Sequence, residues 1–155
     1  MHPFPHRYAV SAMAGPASVV TLRSAELEDI QSTAPPEFGG PAGNWSPETL
    51  FVAAIADCFI LSFRAVANAS KLEWSEIDCD AVGVLEKTAE GLWFTVIELD
   101  AHLRIPAGGD AARAADLLDR WHRISVDMGL TEPGYCRLQT DHVEALVACG
   151  RLDDA

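Results

Sequence analysis

Cys58, set in the run IADCFIL, is the side chain in this sequence best suited to covalent chemistry. A thiol becomes a working nucleophile when a cation or a base stands beside it. His122 and Arg123, on a later helical stretch, are residue types that hold a thiolate or take its proton. Cys58 therefore has two readings, packing material or nucleophile. His122 also has two: it fills a cavity, or it pairs with Cys58. Glu48 stands ten residues before Cys58. On one helix that spacing is about 15 Å of rise, too far for contact within a chain. If the two share a site, antiparallel pairing must bring Glu48 of one copy towards Cys58 of another. Cys58, His122 and Glu48 are metal-ligand types without any short ligand spacing, so no metal and no other cofactor is expected. Cys79, Cys136 and Cys149 are scattered and form no CxxC pair, which points to free thiols. Cys79 falls in an expected strand and reads as structural; Cys136 and Cys149 could reach Cys58 if the tail folds back, the preferred reading being packing or exposed bystanders.

These residues must be positioned by a small set of elements. Ser46 as N-cap, Pro47 at the first helical position and Glu48 in the first turn start a helix over 47–70. From Leu50 to Ala67 its only charges are Asp57 and Arg64, seven residues apart and so nearly on one face. The expectation is that these charges interrupt the run before the roughly 20 residues needed to cross a bilayer, leaving a helix packed on several sides. Upstream, 7–12, 18–22 and 27–32 read as a three-stranded meander, followed by the Pro- and Gly-rich loop TAPPEFGGPAGNWS. Downstream, 76–85 and 92–105 read as a hairpin joined by the polar turn EKTAEG. Asp110 then caps an amphipathic helix over 110–126, with Ala114, Leu117, Leu118, Trp121 and Ile124 at spacings of three and four. A last strand is expected over 137–147 and a polar tail over 148–155. Strands segregated from two helices argue an α+β fold.

The length of 155 residues fits one domain, 1–155. Hydrophobic content of 49% and charged content of 22% suit a folded chain, and a net charge of −12 repels phosphate backbones. No nucleic-acid or membrane partner is expected. Two prolines in MHPFPHRYAV break what a signal peptide needs to be unbroken, so the expected location is cytoplasmic.

The run AGNWSPETLFVAAIADCFILSF resembles the central helix of the OsmC/Ohr family, the osmotically induced and organic-hydroperoxide-resistance proteins. In that family a Pro-Glu pair begins the helix, and the reactive cysteine follows the glutamate by the spacing that separates Glu48 from Cys58. The resemblance continues through EGLWFTVIELDAHLRIPAG and into DRWHRISV, where the family has a second cysteine, commonly as Cys-Pro-x-Ser. It implies an α+β, OsmC-like fold, with curved antiparallel sheets wrapped around central helices in an intertwined homodimer. It also implies a thiol-dependent peroxidase for organic hydroperoxides, with Cys58 as nucleophile and Glu48 orienting the site across the interface. The second-cysteine position is His122, with Arg123 at the following proline and Ile124-Ser125 preserving the end of the motif. Histidine forms no disulfide, so an external thiol reductant is expected to complete the cycle. The arginine that the Ohr branch places in its early strands has no counterpart at 15–17. Arg23 and Arg123 stand as substitutes, the other reading of Arg23 being a solvated strand-end side chain. A pocket is expected from Phe51, Phe59, Phe63, Trp121 and Arg123. It would take the hydroperoxide or, in a competing non-peroxidase reading, a small apolar ligand. A third reading is hydrolysis by Cys58 with His122.

Overall fold

The structure is a computed structural model that describes residues 3–125, with side chains described up to Asp119. The expected strand over 137–147, the tail over 148–155, and Cys136 and Cys149 lie outside the described residues. So do the side chains of Trp121, His122 and Arg123, although the helix that carries them is described. Contacts divide the chain into two units, 1–51 and 52–155.

In the first unit β1 (Ser11–Met13), β2 (Val20–Arg23) and β3 (Ile30–Ser32) form an antiparallel meander, with Ser11 opposite Arg23 and Val20 opposite Ser32. Two of these strands are much shorter than the sequence suggests. Leu27–Asp29 belongs to the β2–β3 turn: Leu27 N–H donates to the Ser24 carbonyl at 3.3 Å, and Glu26 adopts a φ of 62°. Arg23 Nε meets Asp29 Oδ2 at 2.9 Å and clamps that turn. After β3 the chain makes a closed loop. Its ends are tied by Thr33 N–H to the Trp45 carbonyl at 2.9 Å and by a parallel bridge between Ser32 and Trp45. Inside it a short 3-10 helix, Pro36–Phe38, ends at Gly39 with φ 80°. Gly40 lies so close to the Ala34 carbonyl oxygen that a Cβ there would be 1.7 Å from it.

Helix α1 (Pro47–Ser70) begins at Ser46, which is 1% exposed. Its Oγ accepts from Thr49 N–H at 3.2 Å while its own N–H donates to Thr49 Oγ1 at 2.8 Å. This reciprocal pairing follows capping-box logic, with threonine in the place of glutamate. The far end is a Schellman motif. Leu72 N–H reaches the Ala67 carbonyl at 3.0 Å, Lys71 N–H reaches that of Asn68 at 3.1 Å, and Lys71 takes a φ of 52°. The Arg113 guanidinium donates to the Ser70 carbonyl, satisfying one more helix-end acceptor.

In the second unit β4 (Glu76–Thr88) and β5 (Gly91–Arg104) form a long antiparallel hairpin, with Glu76 opposite Arg104 and Thr88 opposite Gly91. The polar stretch read as a turn is mostly strand: Glu86, Lys87 and Thr88 stay in the ladder, leaving Ala89 and Glu90 as the loop. A bulge between Val84 and Leu85 resets the register. One face carries Ile77, Cys79, Ala81 and Gly83 opposite Leu103, Ala101, Leu99 and Ile97. It turns inward: Ile97, Ala101 and Leu103 are almost fully buried. The other face carries Glu76, Asp78 and Asp80 opposite Arg104, His102 and Asp100. Helix α2 (Ala111–Ser125) is capped by Asp110, whose Oδ1 accepts from Arg113 N–H at 2.9 Å. The core joins Phe63 and Ala67 of α1, Leu72, Leu103 and Ile105 of the hairpin region, and Ala114, Leu117 and Leu118 of α2. Phe63 and Trp74 meet edge to face at 5.7 Å.

One expectation is corrected. α1 does have the length and composition of a membrane-crossing helix, with a mean hydropathy of 2.0 over its best 18-residue window. Asp57 and Arg64 are outweighed by the apolar residues around them. Only 17% of that window is buried within the chain, so most of this apolar surface lacks cover there.

Candidate functional site

The site builds outward from α1, because its capped start fixes where every side chain along it points. Glu48 lies in the first turn, where the helix dipole favours a carboxylate. Its Oε2 is buried and has no hydrogen-bond partner among the described residues, and the same holds for Thr33 Oγ1. A buried carboxylate oxygen without a donor is costly. Ten residues along, Cys58 is an exposed free thiol. Its Sγ lies 3.9 Å from Ser62 Oγ, one turn further on. Ser62 went unnoticed in the sequence, though its i+4 spacing from Cys58 was the available signal.

The apolar candidates separate by depth. Phe63 is fully buried in the core, Phe59 packs partly buried against that core, and Phe51 is 41% exposed. Arg23, one substitute for a thiolate-holding arginine, is engaged by Asp29 at 2.9 Å. That matches its reading as a strand-end side chain. Cys79 sits on the inward face of β4, where burial, followed by Asp80, Asp100 and Asp78, pushes its thiol up to about 11. It is a poor nucleophile near neutral pH. Among the described residues no group of three or more His, Cys, Asp and Glu side chains is arranged to hold a metal ion.

The family profile described as OsmC-like protein matches residues 40–128, more than half of the chain, and takes in the capped helix, Cys58, the hairpin and α2. The chain belongs to the OsmC-like protein family. An organic hydroperoxide resistance protein of Xanthomonas axonopodis pv. citri is 35% identical over 99 residues, covering 62% of this chain and 66% of its own length. The matched stretch thus spans just under two thirds of that relative. Solved structures share the fold at lower identity. An OsmC-like protein of Mycoplasma pneumoniae superposes with a TM-score of 0.69 at 16% identity, covering 89% of this chain and 96% of its own. An organic hydroperoxide resistance protein of Legionella pneumophila gives 0.68 at 24% identity, covering 89% and 97%. The α+β architecture with two helices and antiparallel sheets is therefore the OsmC-like fold.

Proposed function

We propose that this protein is a thiol-dependent peroxidase that reduces organic hydroperoxides, acting in the cytoplasm as a homodimer with Cys58 as its nucleophile. The observation that carries this reading is an exposed thiol in mid-helix, ten residues after a capped Pro47-Glu48 start, in an OsmC-like chain. The similarity to an organic hydroperoxide resistance protein of Xanthomonas points the same way.

The uncovered side of α1 supports the dimer. Phe51, Ala54, Cys58, Leu61 and Ala65 are all exposed and recur at spacings of three and four, a stripe that suits a second helix laid against it. In such a pair the carboxylate end of Glu48 of one copy approaches Cys58 of the other and orients the site. The substrate-facing residues of this reading are Phe51, Phe59 and Phe63 of α1 and Trp121 and Arg123 of α2, of which Phe63 is buried in the core and Phe59 packs partly buried against it. His122 tunes the thiol.

The Cys58 thiolate attacks the terminal peroxide oxygen. An S–O bond forms, the O–O bond breaks, and the departing alkoxide takes a proton to become the alcohol, leaving Cys58 as a sulfenic acid. With His122 at the second-cysteine position, an external thiol condenses with the sulfenic acid, releasing water and forming a mixed disulfide. A second thiolate attacks the external sulfur of that mixed disulfide, the bond to Cys58 breaks, and the two external thiols leave as a disulfide, restoring the Cys58 thiolate.

The competing reading keeps the dimer and makes the apolar interface a binding site for a small apolar ligand. The engagement of Arg23 by Asp29 favours it, since that arginine is not free to hold a thiolate. Cumene hydroperoxide consumption with a small dithiol, measured for wild type and Cys58→Ser alongside sulfenic-acid trapping, separates the two. Turnover abolished in Cys58→Ser is the expected result. Rates equal to the protein-free control, with Cys58 still a thiol, overturn the peroxidase and leave the ligand-binding dimer.

A further inference from the structure

Between Leu50 and Ala67, helix α1 carries three polar side chains besides the Cys58 thiol: Asp57, Ser62 and Arg64. Asp57 and Arg64 stand about 100° and 120° round the helix from Cys58, whereas Ser62 stands only about 40° away, one turn on. Of the three, Ser62 alone shares the face of the thiol. Its Oγ lies 3.9 Å from Cys58 Sγ and is the hydrogen-bond partner that the sulfur has among the described residues. A mid-helix serine often turns back to the carbonyl four residues earlier. This one meets the side chain of that residue instead. Ser62 is also half-buried at the border of the exposed stripe that holds Cys58, so a helix laid on that stripe takes water away from both groups and strengthens what passes between them.

The proposed cycle has a step that this hydroxyl can serve. As the Cys58 thiolate attacks, negative charge leaves the sulfur and gathers on the second peroxide oxygen, which departs as an alkoxide. A donor aimed at that oxygen lowers the barrier, because it acts where charge develops. Among the groups that the proposed site draws towards Cys58, Glu48 only accepts hydrogen bonds when ionised, Arg123 is a fixed cation, and His122 is assigned to the thiol. Ser62 is a neutral donor already in contact with the sulfur. An oxygen poised for attack lies about 3–3.5 Å from its nucleophile, and a hydroxyl bonds an oxygen at about 2.5–3.0 Å. A peroxide can meet both distances from atoms 3.9 Å apart. We propose that Ser62 is a catalytic hydrogen-bond donor, its hydroxyl passing from Cys58 Sγ to the leaving oxygen as the O–O bond breaks. The inference rests on the peroxidase reading and names the group that carries the charge of the departing alkoxide. In balance, the sulfur electron pair forms the S–O bond and the O–O pair goes to the leaving oxygen. Ser62 keeps its own proton, and water supplies the one that completes the alcohol, leaving hydroxide.

Varying the leaving group separates this role from a purely structural one. Cumene hydroperoxide releases the alkoxide of a weakly acidic alcohol and needs the donor. Perbenzoic acid releases benzoate, an anion stable enough to leave without it. Purified full-length wild type and Ser62→Ala are mixed with each oxidant under single-turnover conditions at neutral pH, and loss of the Cys58 thiol is followed alongside sulfenic-acid trapping. Site-resolved alkylation by iodoacetamide, which brings no peroxide oxygen, reports on the thiol alone. Alanine keeps the helix and removes only the hydroxyl. A donor in a closed oxyanion hole is worth about 10²–10³ in rate, and for a half-buried hydroxyl the expected loss with cumene hydroperoxide is roughly tenfold. The rates of Ser62→Ala with perbenzoic acid and iodoacetamide should stay within about twofold of wild type. A loss by the same factor with all three reagents places the hydroxyl's effect on the thiol and overturns the inference, and so does an unchanged rate with cumene hydroperoxide. Wild-type protein that forms no sulfenic acid with either peroxide sinks the peroxidase reading itself, an outcome distinct from any difference between wild type and Ser62→Ala.

Discussion

Gly83 of β4 lies close against Val52 of α1, and replacing it with alanine probes how firmly the hairpin seats on the helix that carries Cys58. A Cβ built there would lie 2.6 Å from Val52 Cγ2 and 2.7 Å from Phe94 Cε1. Carbon atoms rest at about 3.5–4.0 Å, so both neighbours must retreat by about 1 Å. Two effects compete. Gly83 is not in the left-handed region, so alanine is conformationally permitted, and restricting the unfolded chain favours the variant by about 0.4–1 kcal/mol. Overpacking against two side chains at once costs about 1–3 kcal/mol. The steric term wins by about 1–2 kcal/mol, and for a chain of this size Gly83→Ala is expected to lower Tm by roughly 2–8 °C. Val52→Ala removes one of the two obstructing groups, so the double variant should lose about 1 kcal/mol less than the sum of the single losses. Thermal unfolding by circular dichroism at one fixed protein concentration measures all four proteins. A Gly83→Ala midpoint equal to wild type, with additive double-variant losses, refutes the close approach.

Lys71 takes a left-handed conformation at the end of α1, with φ 52°. Lys71→Gly should therefore raise stability by about 1 kcal/mol, read as a higher urea midpoint at constant slope, and a lower midpoint contradicts the Schellman geometry. Cys79, with its thiol pushed up to about 11, should resist iodoacetamide at pH 8 while the exposed Cys58 reacts. Its labelling should accelerate as pH rises towards that value, and Asp80→Asn should advance the onset to lower pH. Site-resolved mass spectrometry that finds Cys79 labelled at pH 8 as fast as at pH 11 would contradict this.

Local signals made the helix and its ends legible in the sequence. Ser46, Pro47 and Glu48 mark the start by capping chemistry, and the stop lies at Ser70 and Lys71 as read. Asp110 likewise marks the start of α2. Less legible were features fixed by pairing. Polarity over 86–90 looked like turn, yet a residue can be polar and still sit in a ladder whose two faces are exposed near its tip. Leu27 looked like strand because it is apolar, but the turn bonds between Ser24 and Leu27 and the Arg23–Asp29 pair decide otherwise. At the site, residue type alone pointed to Cys58 and Glu48. The state of Arg23 depended on a partner six residues away, and the depth of Phe63 on residues from two other elements.

The closed loop between β3 and α1 has a further meaning for anyone modifying this protein. Its two ends are fastened together, and Gly40 is wedged on the Ala34 carbonyl, so the segment from Thr33 to Gly40 admits neither added length nor a larger side chain at the wedge. Past that point the constraint lapses. Gly43 has open space around it, though its φ of 82° keeps that position for glycine itself, and among the described residues the Asn44 side chain bonds to the carbonyls of Pro41 and Ala42. A reporter peptide or immobilisation handle grafted between Ala42 and Asn44 would bulge outward as a satellite of a closed ring, leaving the capped start of α1 undisturbed.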